Sequence, residues 1–95
     1  MNLHQLKERR LSIMATAALH GARNLKVFGS IARGTADDSS DIDFLVELEP
    51  GRSLLDLGGL QVALQRLLGK PVDVITVPGL KERIRDRVLR EAVPL

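Results

Sequence analysis

Two apolar runs joined by a polar stretch constrain the fold of this chain more than any other feature of its sequence. Residues 27–46 read VFGSIARGTADDSSDIDFLV, in which the first apolar run ends at Gly29 and Ser30 and the second contains two aspartates. Short apolar runs bounded by glycine and small polar residues predict strands. We therefore expect two strands here, with glycine, hydroxyl and carboxylate groups close to their ends.

The turn after the first strand has the composition of an anion-binding turn. Gly29 has no Cβ and leaves room for a close backbone turn, and Ser30 is a favourable helix N-cap. We expect residues 31–33 to form one short helical turn that stops at Gly34. A turn directly after a strand points free N–H groups outward, which suits a phosphate. Arg33 lies on this turn and can bind phosphate bidentately; an exposed helical arginine is the alternative interpretation.

The second apolar run carries a pair of acids. Asp41 and Asp43 are two residues apart, so on a strand their side chains share one face, roughly 6–7 Å apart. Two carboxylates on one face repel each other unless a cation lies between them, and Mg²⁺ typically takes one or two carboxylates plus substrate phosphates. The alternative is an edge strand whose acids face water. A phosphate-binding turn and an acid pair together predict metal-assisted nucleotidyl or phosphoryl transfer.

The spacing of these groups matches a known signature. Gly29 and Ser30, ten intervening residues and then Asp41-Ile42-Asp43 resemble the signature of the nucleotidyltransferase superfamily that includes DNA polymerase β. The finer pattern, GSIARG followed by SDIDFLV, resembles the minimal nucleotidyltransferase (MNT) domains, which are often the antitoxin partners of HEPN-domain toxins. The resemblance covers nearly the whole chain. It implies the nucleotidyltransferase fold, an α/β fold (α+β in stricter schemes) with a small mixed β-sheet flanked by helices.

Length and composition exclude several other classes of protein. The 95 residues are enough for one domain, so we expect a single nucleotidyltransferase domain over residues 1–95. Phe28 and Phe44 are the only phenylalanines, and there is no Trp or Tyr, which argues against a base-stacking nucleic-acid surface. There is no cysteine, and the two histidines are far apart, which argues against a zinc site. We find no signal peptide and no apolar run long enough to span a membrane, and expect a cytoplasmic protein.

The rest of the chain predicts the order α-β-α-β-α-β-α, with three main strands in a small mixed sheet. The predicted elements are a helix over Leu3–His20, strands over Leu25–Phe28 and Asp41–Leu48, a helix from Ser53 to Leu68, a strand over Pro71–Val77 and a final helix over Leu80–Val93. Ser53 and Asp56 form a predicted capping box, and Gly69 ends that helix. The pair Gly58-Gly59 inside it indicates a close helix–sheet approach or a kink.

Two further polar residues lie next to the predicted site. Asp73 interrupts an apolar strand, and since a buried, unpaired carboxylate is costly, it needs a cation, a partner or water. In the superfamily that the chain resembles, a third carboxylate on a later strand matches Asp73, helps to hold the catalytic metal and can take a proton. The alternative is a strand-end aspartate paired with Lys or Arg. Ser40, just before the acid pair, can hydrogen-bond a carboxylate or a phosphate, or can cap the loop.

The resemblance implies a specific reaction. A nucleotidyltransferase of this kind binds ATP or another nucleoside triphosphate with two Mg²⁺ ions and transfers a nucleoside monophosphate to an acceptor hydroxyl, releasing pyrophosphate. Asp41 and Asp43 would hold the two ions, and Asp73 the catalytic one. Gly29 and Ser30 would hold the β- and γ-phosphates with help from Arg33, and Ser40 is a further candidate for nucleotide binding.

Larger members of the superfamily carry a further domain that grips base and acceptor, and we expect none within these 95 residues. We therefore expect a self-dimer or a partner subunit to complete the site. The resemblance implies a HEPN-type toxin as partner, with AMP added to one of its tyrosines. The alternatives are an antitoxin that neutralises its partner by contact alone, and nucleotidyl transfer to a small molecule such as an aminoglycoside, or to RNA.

Overall fold

The computed structural model describes every residue from Met1 to Leu95. Its elements follow the predicted alternation of helices and strands, with one helix divided and one strand added. They are α1 (Leu3–Glu8), α2 (Arg10–Leu19), β1 (Ala22–Phe28), α3 (Ser30–Arg33), β2 (Ile42–Leu48), α4 (Leu54–Leu68), β3 (Val72–Thr76), a 3₁₀ turn (Val77–Gly79), α5 (Glu82–Glu91) and β4 (Val93–Pro94). None of these helices has the length and the apolar character that crossing a bilayer requires.

The four strands form one mixed sheet in the order β3-β2-β1-β4. Strand β1 is antiparallel to β2 and to β4, whereas β2 and β3 are parallel. The expected mixed sheet is confirmed, but the expectation of three main strands omitted β4. This strand forms because the chain leaves α5 at Ala92 in an extended conformation and pairs with Lys26 and Val27.

Apolar side chains cover both faces of the sheet. The larger core packs α1, α2 and α4 against one face, and its fully buried side chains include Leu6, Ile13, Phe44 and Leu64. The smaller core lies on the other face, beneath α5, and contains Phe28, Leu45, Leu80 and Val88. Because side chains alternate along a strand, the residues next to Phe44 in β2 point toward the α5 face.

The predicted first helix, Leu3–His20, is interrupted at Arg9. Helix α1 starts with a capping box between Asn2 and Gln5, and α2 starts afresh at Arg10. No glycine or proline near this position signals the interruption. At the break, the Arg9 guanidinium donates a hydrogen bond of 2.7 Å to the Leu67 carbonyl oxygen at the end of α4, a tertiary contact that the local sequence does not indicate.

Helix α4 matches its prediction closely. The Ser53 hydroxyl accepts from the Leu55 N–H at 3.2 Å, Asp56 accepts from the Ser53 N–H at 2.9 Å, and Gly69 ends the helix in the left-handed conformation. The helix runs unbroken through the two glycines. Of the two alternatives for them, a close approach is found, but at Gly59 alone and against the His20 ring rather than the sheet.

The other differences concern the ends of elements. Strand β1 begins at Ala22 rather than Leu25, and it continues past an irregularity in pairing between Arg23 and Lys26, where Asn24 has a φ of 54°. Strand β2 begins one residue after Asp41, and β3 is shorter at both ends than predicted. The final helix is α5, shorter than the predicted span because a 3₁₀ turn precedes it and β4 follows it.

Candidate active site

Gly29 forms the floor of the candidate site, at the end of β1. Its φ of 76° and ψ of −154° lie in a region that is essentially restricted to glycine. A Cβ on this residue would overlap the Asp43 Oδ2 atom, so the backbone turn and the carboxylate are in direct contact. The glycine therefore brings the predicted phosphate turn against the predicted acid pair.

The turn after Gly29 differs in one detail from the prediction. Gly29 is the N-cap of α3 and Ser30 is its first residue, with no side-chain cap, so the prediction of Ser30 as N-cap was wrong. The reason is the glycine-specific conformation, which places the strand-to-helix junction one residue earlier. Gly34 ends α3 in the left-handed conformation, as expected, and Arg33 closes the turn by donating its N–H to the Gly29 carbonyl oxygen at 3.1 Å.

The three predicted acids lie at the start of β2 and β3. Asp43 is directly opposite Asp73 in the parallel pairing and opposite Phe28 in the antiparallel pairing, whereas Asp41 precedes the strand. Asp43 is half-buried, and Asp41 and Asp73 are exposed. None of the three takes part in an ion pair with Lys, Arg or His, so the alternative of Asp73 paired with a basic side chain is not found.

Asp43 is the electrostatic centre of this group. Burial raises its pKa to about 6, and repulsion from Asp73, Asp41 and Glu91 contributes in the same direction, while Arg33 opposes the shift. Burial and the neighbouring acids disfavour the ionised form of the Asp43 carboxyl, and a bound cation would stabilise that form. Asp43 thus connects the predicted phosphate-binding turn at Gly29 with the other two predicted acids, Asp41 and Asp73.

The acids supply the donor chemistry of a magnesium site without enclosing an ion. No group of three acidic or imidazole side chains is close enough to form a ready-made metal cage. Mg²⁺ in nucleotide-dependent proteins usually takes only one or two carboxylates, and phosphate and water complete its shell. Asp41 and Asp43, beside a turn that can bind phosphate, fit that incomplete kind of site.

Glu91 is part of this site and was not predicted. Its carboxylate, at the end of α5, accepts from the Gly29 N–H at 2.6 Å and from the Arg33 Nη1 at 3.1 and 3.2 Å. In the sequence, Glu91 reads as one of several acids that balance the basic residues of the final helix. The available signal was its place in the last turn of the helix, where the dipole disfavours an acid and an external partner must offset it.

Ser40 lies outside the immediate contacts of the acid pair. Its hydroxyl accepts from the Asp37 N–H at 3.0 Å and donates to Asp37 Oδ1 at 3.2 Å, while the Ser39 N–H donates to the same carboxylate oxygen. Of the alternatives for Ser40, the structure therefore shows the loop-capping contact. These internal hydrogen bonds stabilise the loop that precedes Asp41.

A mixed sheet covered by helices, with a Gly-Ser turn packed against strand-borne carboxylates, defines a domain of the nucleotidyltransferase class. The family model described as "Nucleotidyltransferase domain" matches residues 15–95. The chain belongs to this family.

Two relatives with curated names are similar over most of the chain. A protein of Methanocaldococcus jannaschii named "Putative protein adenylyltransferase" is 42% identical over 93 residues, which are 98% of this chain and 97% of the relative. The "Protein adenylyltransferase MntA" of Thermococcus cleftensis is 45% identical over 73 residues, 77% of this chain and 74% of that protein.

Solved structures agree with the fold. A structure described as a "putative minimal nucleotidyltransferase" is 49% identical, with a TM-score of 0.86 over 100% of this chain and 97% of that one. A toxin-antitoxin structure with AMP-PNP has a TM-score of 0.73 at 20% identity and covers 86% of this chain and 68% of that one, a likeness of fold alone. The predicted minimal nucleotidyltransferase fold is confirmed.

Proposed function

We propose that this chain acts as a single nucleotidyltransferase domain that transfers AMP from ATP, with Mg²⁺, to a tyrosine hydroxyl of a HEPN-type toxin. The observation that carries the proposal is the contact of Gly29 with the Asp43 carboxylate. That contact sets a possible phosphate-binding turn beside the acids of β2 and β3. The names of the curated relatives as protein adenylyltransferases support a protein acceptor.

The chain's own residues would divide the work as follows. Gly29 and Ser30 would bind the β- and γ-phosphates, and Arg33, exposed at the rim, would bind the same phosphates through its guanidinium. Ser40, although its hydroxyl bonds to Asp37 here, can exchange that bond for a phosphate oxygen. Binding and alignment of the triphosphate would thus come from the segment between β1 and β2.

The acids would hold the metal and the acceptor proton. Asp41 and Asp43 would hold two Mg²⁺ ions, and Asp73 would share the catalytic one. When bound, the metal would neutralise phosphate charge and clamp the attacking and leaving oxygens of an in-line displacement. The acceptor oxygen forms a bond to the α-phosphorus, the bond from that phosphorus to pyrophosphate breaks, and Asp73 takes the hydroxyl proton.

The surface supports the expectation of a protein partner. Several large apolar side chains of α2 and α4 are exposed on the helical layer opposite α5: Leu11, Leu19, Leu54, Leu55 and Val62. Of this set, Leu54, Leu55 and Val62 line one open pocket, and a contiguous exposed apolar patch is a feature of interaction surfaces. A partner bound to this layer would leave the α5 face, with Asp43, open to the nucleotide.

The test is transfer of AMP to a purified partner. The chain is incubated with a HEPN-type toxin encoded beside its gene, ATP and Mg²⁺, and the intact mass of the toxin is measured. We expect an increase of one or more AMP units, located on tyrosine by peptide mapping, and no increase when EDTA replaces Mg²⁺. Absence of AMP on every protein in the mixture would contradict the proposal.

A pair of double variants separates transfer from neutralisation by contact. Asp41→Asn with Asp43→Asn removes both acids of the site, and Asp38→Asn with Asp86→Asn removes the same charge at exposed positions. We expect the first pair to abolish transfer and toxin silencing and the second to preserve both. If the first pair silences the toxin as well as the unaltered chain does, the contact-only antitoxin is the correct function.

A further inference from the structure

A carboxylate of the chain itself occupies the groups that the nucleotide phosphates would need. Both oxygens of Glu91 lie within 3.2 Å of the Arg33 Nη1, and Oε2 also accepts from the Gly29 N–H at 2.6 Å. The Glu91 side chain is only 14% exposed, whereas that of Arg33 is 48% exposed. The carboxylate is therefore held inside the site, and the guanidinium covers it from the solvent side.

The position of Glu91 is unfavourable for α5 alone. It is the last residue of the helix, where the carbonyl groups give a partial negative charge that repels a carboxylate. It also adds to the repulsion on Asp43. The contacts with Gly29 and Arg33 offset both effects, so Glu91 is stabilised by the same groups that would attract a phosphate.

Two anions cannot use the Gly29 N–H at once. A backbone amide has one hydrogen, whereas the Arg33 guanidinium has five and can turn to a second acceptor. A phosphate oxygen that bonds to Gly29 must therefore displace Glu91, and repulsion between the two negative groups acts in the same direction.

We propose that Glu91 is an internal competitor of the triphosphate: it occupies the phosphate-binding groups Gly29 and Arg33 until the nucleotide displaces it. This inference rests on the proposed function.

The displacement has a consequence for the end of the chain. Ala92 alone separates Glu91 from β4, which pairs with Lys26 and Val27, and the Leu95 N–H donates to the Leu25 carbonyl oxygen at 3.2 Å. Nucleotide binding therefore loosens the pairing of β4 with β1, because β4 lies close to the displaced Glu91 in the chain.

The test compares Glu91→Gln with Glu82→Gln, a matched change at the other, exposed end of α5. Each full chain is titrated with ATP and Mg²⁺, and separately with inorganic tripolyphosphate, by calorimetry. Because a neutral amide is a weaker acceptor than a carboxylate, we expect Glu91→Gln to lower the Kd of both ligands about tenfold and Glu82→Gln to leave it unchanged. Thermal melting checks that each variant is folded.

A second measurement needs no variant. In the unaltered chain, saturation with ATP and Mg²⁺ is expected to shift the Gly29 amide resonance, because the acceptor of this N–H changes, and to speed hydrogen exchange of the Leu95 amide, as read by NMR. If Glu91→Gln does not fold, this NMR measurement by itself tests whether the nucleotide displaces Glu91. Unchanged exchange at Leu95 would overturn the coupling to β4.

The outcomes distinguish this inference from the proposed function. If the unaltered chain binds ATP, and Glu91→Gln binds it equally or more weakly, Glu91 supports the turn instead of competing, and the inference fails while the nucleotidyltransferase proposal stands. If no form of the chain binds ATP or tripolyphosphate, the phosphate-binding assignment fails and takes this inference with it.

Discussion

Asp43 lowers the stability of the folded chain, yet its carboxylate has the chemistry that a metal site requires. It lies between Phe28 and Asp73 in the sheet register, in contact with Gly29, on a face where burial is incomplete. A neutral side chain here would avoid the repulsion from Asp73 and Asp41. The molecule therefore carries an electrostatic cost at the position where the proposed function needs a metal ligand.

We expect this cost to appear as a pH dependence of stability. The pKa of Asp43 is raised in the folded chain to about 6 from its ordinary value of 3.8. Its contribution to the free energy of unfolding is fully present below the lower value and is lost as pH rises through the higher one. Because solvent screens a half-exposed carboxyl, we expect a loss of about 1 kcal/mol. Urea unfolding of the unaltered chain and Asp43→Asn in EDTA, from about pH 4 to about pH 7, measures the difference.

Asp86→Asn on the exposed side of α5 is the control and should follow the unaltered chain across the range. At neutral pH, Asp43→Asn should be the more stable protein in EDTA. Addition of Mg²⁺ should stabilise the unaltered chain and not this variant, since a ligand of the native state acts by mass action. Lower stability of Asp43→Asn in EDTA would mean that the carboxylate makes a structural contact instead.

Helix α4 illustrates the element scale, because its two adjacent glycines have different surroundings. A Cβ at Gly58 would meet nothing within 4 Å, whereas one at Gly59 would lie 3.2 Å from the His20 Nδ1. The helix is continuous from Leu54 to Leu68 despite both. Its capping box and its buried leucines therefore suffice to hold it.

Replacement of each glycine by alanine tests this difference. Gly58→Ala should raise the free energy of unfolding by about 1 kcal/mol, since alanine has the higher helix propensity and the added methyl group has free space. Gly59→Ala should gain clearly less, because the His20 ring must move. Thermal unfolding of the two variants under the same conditions gives the comparison. Equal gains would show that His20 does not constrain α4.

At the scale of the whole molecule, the smaller core fixes α5 on the sheet and so places Glu91 beside Gly29. Val88, 1% exposed, packs with Phe28 and Leu45 and lies one helical turn before Glu91. The helix is otherwise rich in charged residues and has few apolar contacts. Its position thus depends on a small number of buried side chains.

We expect Val88→Ala to destabilise the protein by about 2 kcal/mol, from lost burial and the cavity that remains. Leu89→Ala, at a neighbouring position that is 43% exposed, should cost clearly less. Denaturation in urea measures both, and the Gly29 amide resonance reports whether Glu91 keeps its contact. A similar cost for the two variants would mean that the smaller core does not anchor α5.

Local spacing and composition were enough to predict much of this protein. The glycine-serine pair, the ten-residue interval and the acid pair indicated the nucleotidyltransferase family. The boundaries of α4 followed from Ser53, Asp56 and Gly69, because caps act within one helical turn. The mixed character of the sheet came from the family resemblance rather than from the residues, and the parallel pairing of β2 with β3 was not predicted.

Only the tertiary structure decided the features that depend on contacts between residues distant in the sequence. Arg9, at the break in the first helix, donates a hydrogen bond to Leu67, and Val93 pairs with Val27 in a fourth strand. Glu91 meets Gly29 and Arg33 across 62 and 58 positions of the chain. Propensity and periodicity describe a residue's near neighbours, whereas the partner of a charged side chain depends on how whole elements pack.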